Sequence, residues 1–284
     1  MRTLLFDDAG EIWDAQSPRL AESLQASLSG DALTTYAIRN LGFIAVTETP
    51  GSARLRLRPA VVSQTALSAV LYWLHDQPSI DRLLISFLDK EWTHELVRSG
   101  QQAARTLLAR VRFQATDREG DFLKKPRPLH ELPRASPLRP ILDIWANSNG
   151  RYDRERLQPV IQRAVNGRFV LVESSRAEPT LRIKAVGGMG NVANYWLSRS
   201  IGLRVEDQPD YAYGKWVATP YRQVLSSGEP SLDDVDAVIT WPQQPRIGYR
   251  YRRLVLPFNG TRDSTLLLGV TLVDSSIDLR IKPH

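Results

Sequence analysis

Apolar and polar residues follow two rhythms along this chain, and the switches between them mark out the elements. Residues 3–6 and 11–14 flank a turn through Asp8-Ala-Gly10 and predict a hairpin. Leu20, Leu24 and Leu28 recur at every fourth position, which predicts a helix over 19–28, and a second helix is predicted over 31–40, stopped by Leu41-Gly42. Strands follow at 43–47 and 53–58 about the Pro50-Gly51 turn; the second sets Leu55 and Leu57 against Arg54, Arg56 and Arg58, one face buried and one charged. Ser63 stands where it can cap a helix whose Leu67, Val70, Leu71 and Leu74 form one stripe. A strand over 80–88 and a long helix over 92–112, interrupted at Ser99-Gly100, complete an α+β layer domain.

The periodicity then lapses between 113 and 140, where five prolines fall in the fifteen positions from Pro126 to Pro140. Each proline lacks an amide donor and drives its predecessor away from helical geometry, so 113–140 reads as a linker between a domain of 1–112 and one of 141–284. The second domain opens with helices over 141–147 and 153–166, the latter capped by Asp153 and restarting at Pro159. A strand pair at 169–172 and 181–186, short helices from 191 to about 225, and three strands at 235–241, 248–258 and 265–274 complete it.

Composition removes several kinds of chemistry. The 284 residues contain no cysteine, so disulfides, thiolate nucleophiles and thiolate metal sites are excluded and a cytoplasmic address is expected. The opening apolar run is too short for a signal peptide, and no window approaches 18 apolar residues, so no membrane partner is expected. The net charge of +6 arises from 31 Arg and six Lys against 31 acids, and divides as 0, +2 and +4 over 1–112, 113–140 and 141–284. No segment forms the basic block of a nucleic-acid face, and nucleic acid is disfavoured as a partner.

The candidate motifs are few. The four histidines, His75, His94, His130 and His284, lack metal-ligand spacing, and no serine sits in a Gly-x-Ser-x-Gly elbow, so neither a metal site nor a catalytic residue is assigned. Arg54, Arg56 and Arg58 form a comb that could meet phosphates, although a solvated face is favoured. Gly188-x-Gly190-x-x-Ala193 follows a strand and precedes Glu206 and Asp207 at about the distance of a ribose-binding acid, the outline of a dinucleotide fingerprint. The strand before it alternates Arg182 and Lys184 with apolar residues, unlike a central parallel strand, so Gly187-Gly188 is read as a strand-ending turn. The run Tyr249-Arg-Tyr-Arg-Arg could form a single-strand nucleic-acid platform, or a strand with Tyr251, Arg253 and Val255 on one side; the latter is preferred.

Two strands, a helical belt and three strands is the order of a PAS domain, a five-stranded antiparallel sheet with helices across one face. The residues carry the likeness further: Ile201-Gly-Leu-Arg-Val-Glu-Asp, the helix end Tyr221, Val224, Gly228 and Pro230, and the strand Tyr251-Arg-Arg-Leu-Val-Leu-Pro-Phe. Over roughly 141–280 the chain resembles a bacterial, mainly α-proteobacterial, PAS-like family, departing from it at Phe258 and at Leu203. The resemblance implies a non-catalytic sensory or regulatory protein that takes a small organic ligand, or a protein partner or second copy. Haem and flavin adducts are not expected, because 141–283 hold no histidine and the chain no cysteine. Tyr195, Trp196, Tyr211, Tyr213, Trp216 and Tyr221 on the belt, facing Trp241 and Tyr251 on the sheet, are the expected ligand-binding lining, with Arg253 as a polar anchor.

Overall fold

The alternation read along the chain becomes two six-stranded sheets, one in each of two units, Met1–Asp117 and Arg118–His284. The computed structural model describes residues 2–77, 80–111, 120–175, 180–188, 197–208, 210–239, 247–261 and 263–280.

In the first unit β1 (Arg2–Phe6), β2 (Ile12–Asp14), β3 (Ile44–Thr49), β4 (Ser52–Leu57), β5 (Arg82–Leu88) and β6 (Trp92–Val97) lie in the order β2-β1-β3-β4-β5-β6. All pairs are antiparallel except β4 with β5, whose parallel pairing requires the crossover that α3 (Gln64–Asp76) supplies. Ser63 caps that helix, its Oγ accepting the Ala66 amide at 2.9 Å. The hairpin turn is organised by Asp7, whose carboxylate accepts from the amides of Ala9 and Glu11 and from Trp13 Nε1. The helices α1 (Pro18–Ser23) and α2 (Gly30–Tyr36), the latter prolonged by a π-turn to Leu41, pack Leu20, Leu33 and Ile38 on Leu5 and Ala45.

One expectation fails here: 92–97 is a strand, and only α4 (Gly100–Arg110) of the long helix forms. Trp92-Thr-His-Glu-Leu-Val pairs residue for residue with β5, setting Leu96 opposite Leu84 and His94 opposite Ser86. Ser99 then starts the helix, its Oγ accepting the Gln102 amide at 3.1 Å, so the interruption read at Ser99-Gly100 is a strand-to-helix junction.

In the second unit β7 (Phe122–Pro126), β8 (Phe169–Ser175), β9 (Arg182–Gly187), β10 (Ser231–Ile239), β11 (Ile247–Asn259) and β12 (Ser264–Val273) form an antiparallel sheet in the order β7-β10-β11-β12-β8-β9. The sheet has six strands where five were expected, because part of the proline-rich stretch joins it: β7 pairs with β10 at the sheet edge, the place where a strand ending in Pro126 is tolerated. The unit therefore begins ahead of the expected boundary, at Arg118.

Helices cover both faces of this sheet. On one face α5 (Arg139–Ala146) and α6 (Arg154–Val165) pack Ile141, Leu142, Leu157 and Ile161 on Leu254, Leu256, Phe258, Leu268 and Val270. Each such side chain taken from water contributes about 1.5–3 kcal/mol. On the other face lies α7 (Tyr211–Ser227), a 17-residue helix; of the stretch of short helices expected from 191 to about 225, a short turn at 197–199 and a 3-10 turn at Val205–Asp207 precede it, and the remainder is this one long helix. Asp210 caps it through the Tyr213 amide, it runs through Pro220, and Gly228 ends it at φ +71° with its amide on the Val224 carbonyl. Tyr221 and Val224, which carry the helix-end pattern, are buried against Val255 and Leu267. Among the described residues no helix is long and apolar enough to cross a membrane.

Candidate functional site

Between α7 and the face of the second sheet that it covers, the packing is incomplete, leaving a cavity of about 510 Å³. The strand period of two explains which side chains reach it. Along β11, Tyr249, Tyr251 and Arg253 project into this layer with Val255, while Arg250 and Arg252 turn to acids on the other side. Val170, Ile183, Val205 and Val217 supply apolar wall. The lining residues Gly248, Val273 and Ser275 are exposed and mark the mouth, whereas Tyr221, Tyr251 and Arg253 are buried and mark the inner end.

Tyr213 and Tyr221 stand two turns apart on α7, so both rings point at the sheet. Tyr213 Oη lies 3.2 Å from Tyr251 Oη, one hydroxyl donating to the other. Tyr221 rests over Gly269 of β12, where a Cβ would come within 2.0 Å of its hydroxyl oxygen. Trp216 lies between Tyr213 and Tyr221 on the helix, stacked with Phe122 at 5.6 Å and with Arg253 Cζ 5.4 Å from its ring centre.

Arg253 is 2% exposed and is the least ordinary residue of the site. Its Nη2 donates to Asp233 Oδ2 at 3.2 Å, directly across the β10–β11 ladder. Its Nε and Nη1, equally buried, have no hydrogen-bond partner among the described residues. A buried donor without an acceptor costs about 1–3 kcal/mol, more on a charged group, so these two nitrogens mark a place built for something else. Burial opposes the charge of Arg253, but Tyr251, Asp233, Tyr213 and Tyr221 around it outweigh that penalty and hold its pKa above the ordinary value.

Burial acts in the other direction on the phenols. It raises Tyr213 well above the usual tyrosine range, with Tyr251 reinforcing it, and pushes Tyr221 up to about 12 against the pull of Arg253. Both stay protonated donors when the unfolded chain has begun to ionise near 10.0. The stability this confers is complete below pH 10, and it declines as pH rises from there toward about 12. An alkaline spectrophotometric titration is expected to show most of the nine tyrosines ionising reversibly, and Tyr213 and Tyr221 only together with loss of the second unit's fold. Full reversible ionisation before unfolding would contradict it.

Of the expected ligand-binding residues, Tyr213, Tyr221, Tyr251 and Arg253 border the cavity, and Trp216 backs Arg253 without lining it. Tyr195, Trp196 and Trp241 lie outside the described residues, as does the side chain of Tyr211. Sequence reasoning missed Arg168, Tyr249 and Thr271, all on the cavity face. The signal for Thr271 and Arg168 lay in the pairing register that puts them beside Arg253, which no local pattern reveals.

The other motifs have local uses. β9 is an antiparallel edge strand, so no parallel β-α-β unit starts from it, and the left-handed Gly188 sits against the backbone of Gly167 and Arg168. Glu206 is bound by Arg222, and Asp207 takes both ends of the Arg204 guanidinium. Gly190 and Ala193 lie outside the described residues. In the comb, Arg54 Nε donates to Ser86 Oγ, and Arg58 donates to the Arg39 carbonyl from beyond the strand end.

No family model matches the chain, and no curated protein matches it. Among solved structures it is similar to one described as "Structure of an RNA-binding Light-Oxygen-Voltage Receptor", with 9% identity over 96% of this chain and 92% of that one and a TM-score of 0.31.

Proposed function

We propose that this chain is a PAS-like sensory or regulatory protein, without catalytic activity, whose second unit binds a small organic molecule between α7 and the sheet. The observation that carries this reading is the cavity itself: apolar walls, a mouth at Val273 and Ser275, and at its closed end a buried arginine with two unused donors. Its volume and its balance of apolar wall to a few polar groups are those of small-molecule sites.

A sensor needs its ligand contacts coupled to something outside the site, and β11 supplies such a route. The strand that turns Tyr249, Tyr251 and Arg253 to the cavity turns Arg250 and Arg252 to Asp236 and Asp234 on its reverse face. Asp236 also binds Arg280, and Arg280 holds the carbonyls of Gly120 and Asp121 where the chain enters the second unit. Arg250 reaches Asp278 as well. Both ends of the unit are thus tied to the strand that meets the ligand, and a protein partner or a second copy would read a shift there.

The test is binding of a neutral apolar dye, Nile red, to the full chain. Saturable binding is expected, and Val217→Phe, which fills the cavity from α7, is expected to weaken it about tenfold or more, the effect of losing most of an apolar site. Absence of saturable binding, or binding indifferent to Val217→Phe in a folded protein, would overturn the reading.

A further inference from the structure

We infer that the ligand is an anion with one carboxylate and an apolar body, its head received by Arg253 and Arg168. This rests on the cavity being a small-molecule site, as proposed above, and adds the chemical class of its occupant. Three arginines border the cavity, Arg168, Arg250 and Arg253, although the guanidinium of Arg250 is turned to acids on the reverse face of β11, and among the described lining residues there is no Asp or Glu. Arg250 is already engaged by Asp236 and Asp278. Arg253 has a single bond to Asp233 and two bare nitrogens. Arg168 gives one bond to the Val165 carbonyl and has no carboxylate partner among the described residues.

The pairing register places these two cations in one row. Arg253 lies opposite Thr271 on β12, and the Thr271 amide bonds the Arg168 carbonyl beside β8. Adjacent strands are about 4.8 Å apart, so Arg253, Thr271 and Arg168 stand side by side on the face that borders the cavity, with roughly 10 Å between the outer two backbones. The phenols of Tyr213, Tyr221 and Tyr251 close the inner end; one hydroxyl of the Tyr213–Tyr251 pair donates to the other, and the remaining phenol O–H groups are uncharged donors for an oxyanion. Against this donor set the walls offer Val170, Ile183, Val205 and Val217. A carboxylate head fits it better than a phosphate, because Asp233 already offsets one of the two cations and a single remaining charge balances one anionic oxygen pair.

The experiment titrates the full chain calorimetrically with octanoate, octanamide, octyl phosphate and inorganic phosphate. Octanoate is expected to bind at least about tenfold tighter than octanamide, with inorganic phosphate not binding measurably, because a charge-assisted bond to a desolvated arginine is lost in the amide. Asp233→Asn keeps the shape and one acceptor at that position while removing the competing charge; it is expected to tighten octanoate several-fold and leave octanamide unchanged. Arg168→Gln is expected to weaken octanoate and not octanamide. A purely structural role for the pair would not strengthen one ligand selectively. If octanamide binds as well as octanoate while Nile red still binds, the anion assignment falls and the cavity reading stands. Tighter binding of octyl phosphate than of octanoate would overturn the carboxylate class. If neither Nile red nor any of these compounds binds, the cavity reading falls with it.

Discussion

Replacing Arg253 by methionine is expected to cost the second unit about 3–5 kcal/mol, because it leaves the Asp233 carboxylate buried, at 3% exposure, with its ion-pair partner gone. The two charges face each other across β10 and β11, both nearly without exposure to bulk solvent, and the Asp233 carboxylate is not among the groups that line the cavity. The double variant Asp233→Leu/Arg253→Met is expected to recover most of the loss, since an apolar pair of similar volume replaces a buried ion pair at little net cost. That contrast separates the ion pair from simple packing: if packing alone mattered, removing two side chains would cost more than removing one. Urea unfolding read by hydrogen exchange at the β10 and β11 amides measures it locally, which a two-unit chain requires. Equal loss in the single and double variants would contradict the assignment.

Gly188→Ala is expected to destabilise the same unit by about 3 kcal/mol or more, through two causes that add. The residue has φ +62°, where a side chain costs roughly 1–2 kcal/mol. Its new Cβ would also lie 2.1 Å from the Gly167 carbonyl carbon, 2.2 Å from the Arg168 nitrogen and 2.3 Å from the Asn166 oxygen. All three are backbone atoms of the turn that delivers α6 into β8, so relief requires the chain itself to move, at about 1–3 kcal/mol. For a unit of this size the melting temperature is expected to fall by roughly 6–12 °C. Because Arg168 borders the cavity beside Thr271, octanoate binding is expected to weaken as well. A variant that melts within a degree of the parent would contradict the close approach.

Gly188 also shows how a sequence pattern and a structure divide the same residues. Its spacing to Gly190 and Ala193 suggests a phosphate cradle, but the alternating charges of Arg182 and Lys184 already argue against a central parallel strand, and β9 is an antiparallel strand at the sheet edge. In the same way, the alternation Tyr251, Arg253, Val255 is enough to put Arg253 on an inward face with no knowledge of its neighbours across the sheet. Local pattern cannot supply Asp233, Thr271 or Arg168, because their nearness to Arg253 depends on pairings across β10, β11, β12 and β8. Trp92-Thr-His-Glu-Leu-Val reads as helix from its own residues for a related reason: its pairing with β5, invisible locally, outweighs continuity with the helical run after Ser99. Phe122–Pro126 reads as connector because prolines crowd the residues after it, yet the strand needs only one partner at the edge of a sheet, and β10 provides it. Tyr221, Val224, Leu254 and Leu256, on which the expected likeness of 141–280 to a PAS-like family is read, are buried core positions, so that pattern speaks to packing and carries no information about a ligand.

A high-resolution crystal structure of the full chain, inspected for density beside Arg253, would decide whether the second unit holds a ligand site. An open interior is expected between α7 and the sheet, with a ligand or ordered waters reaching the guanidinium that Asp233 satisfies at only one nitrogen. An interior closed by side chains, with every Arg253 nitrogen bonded to protein groups, would contradict it.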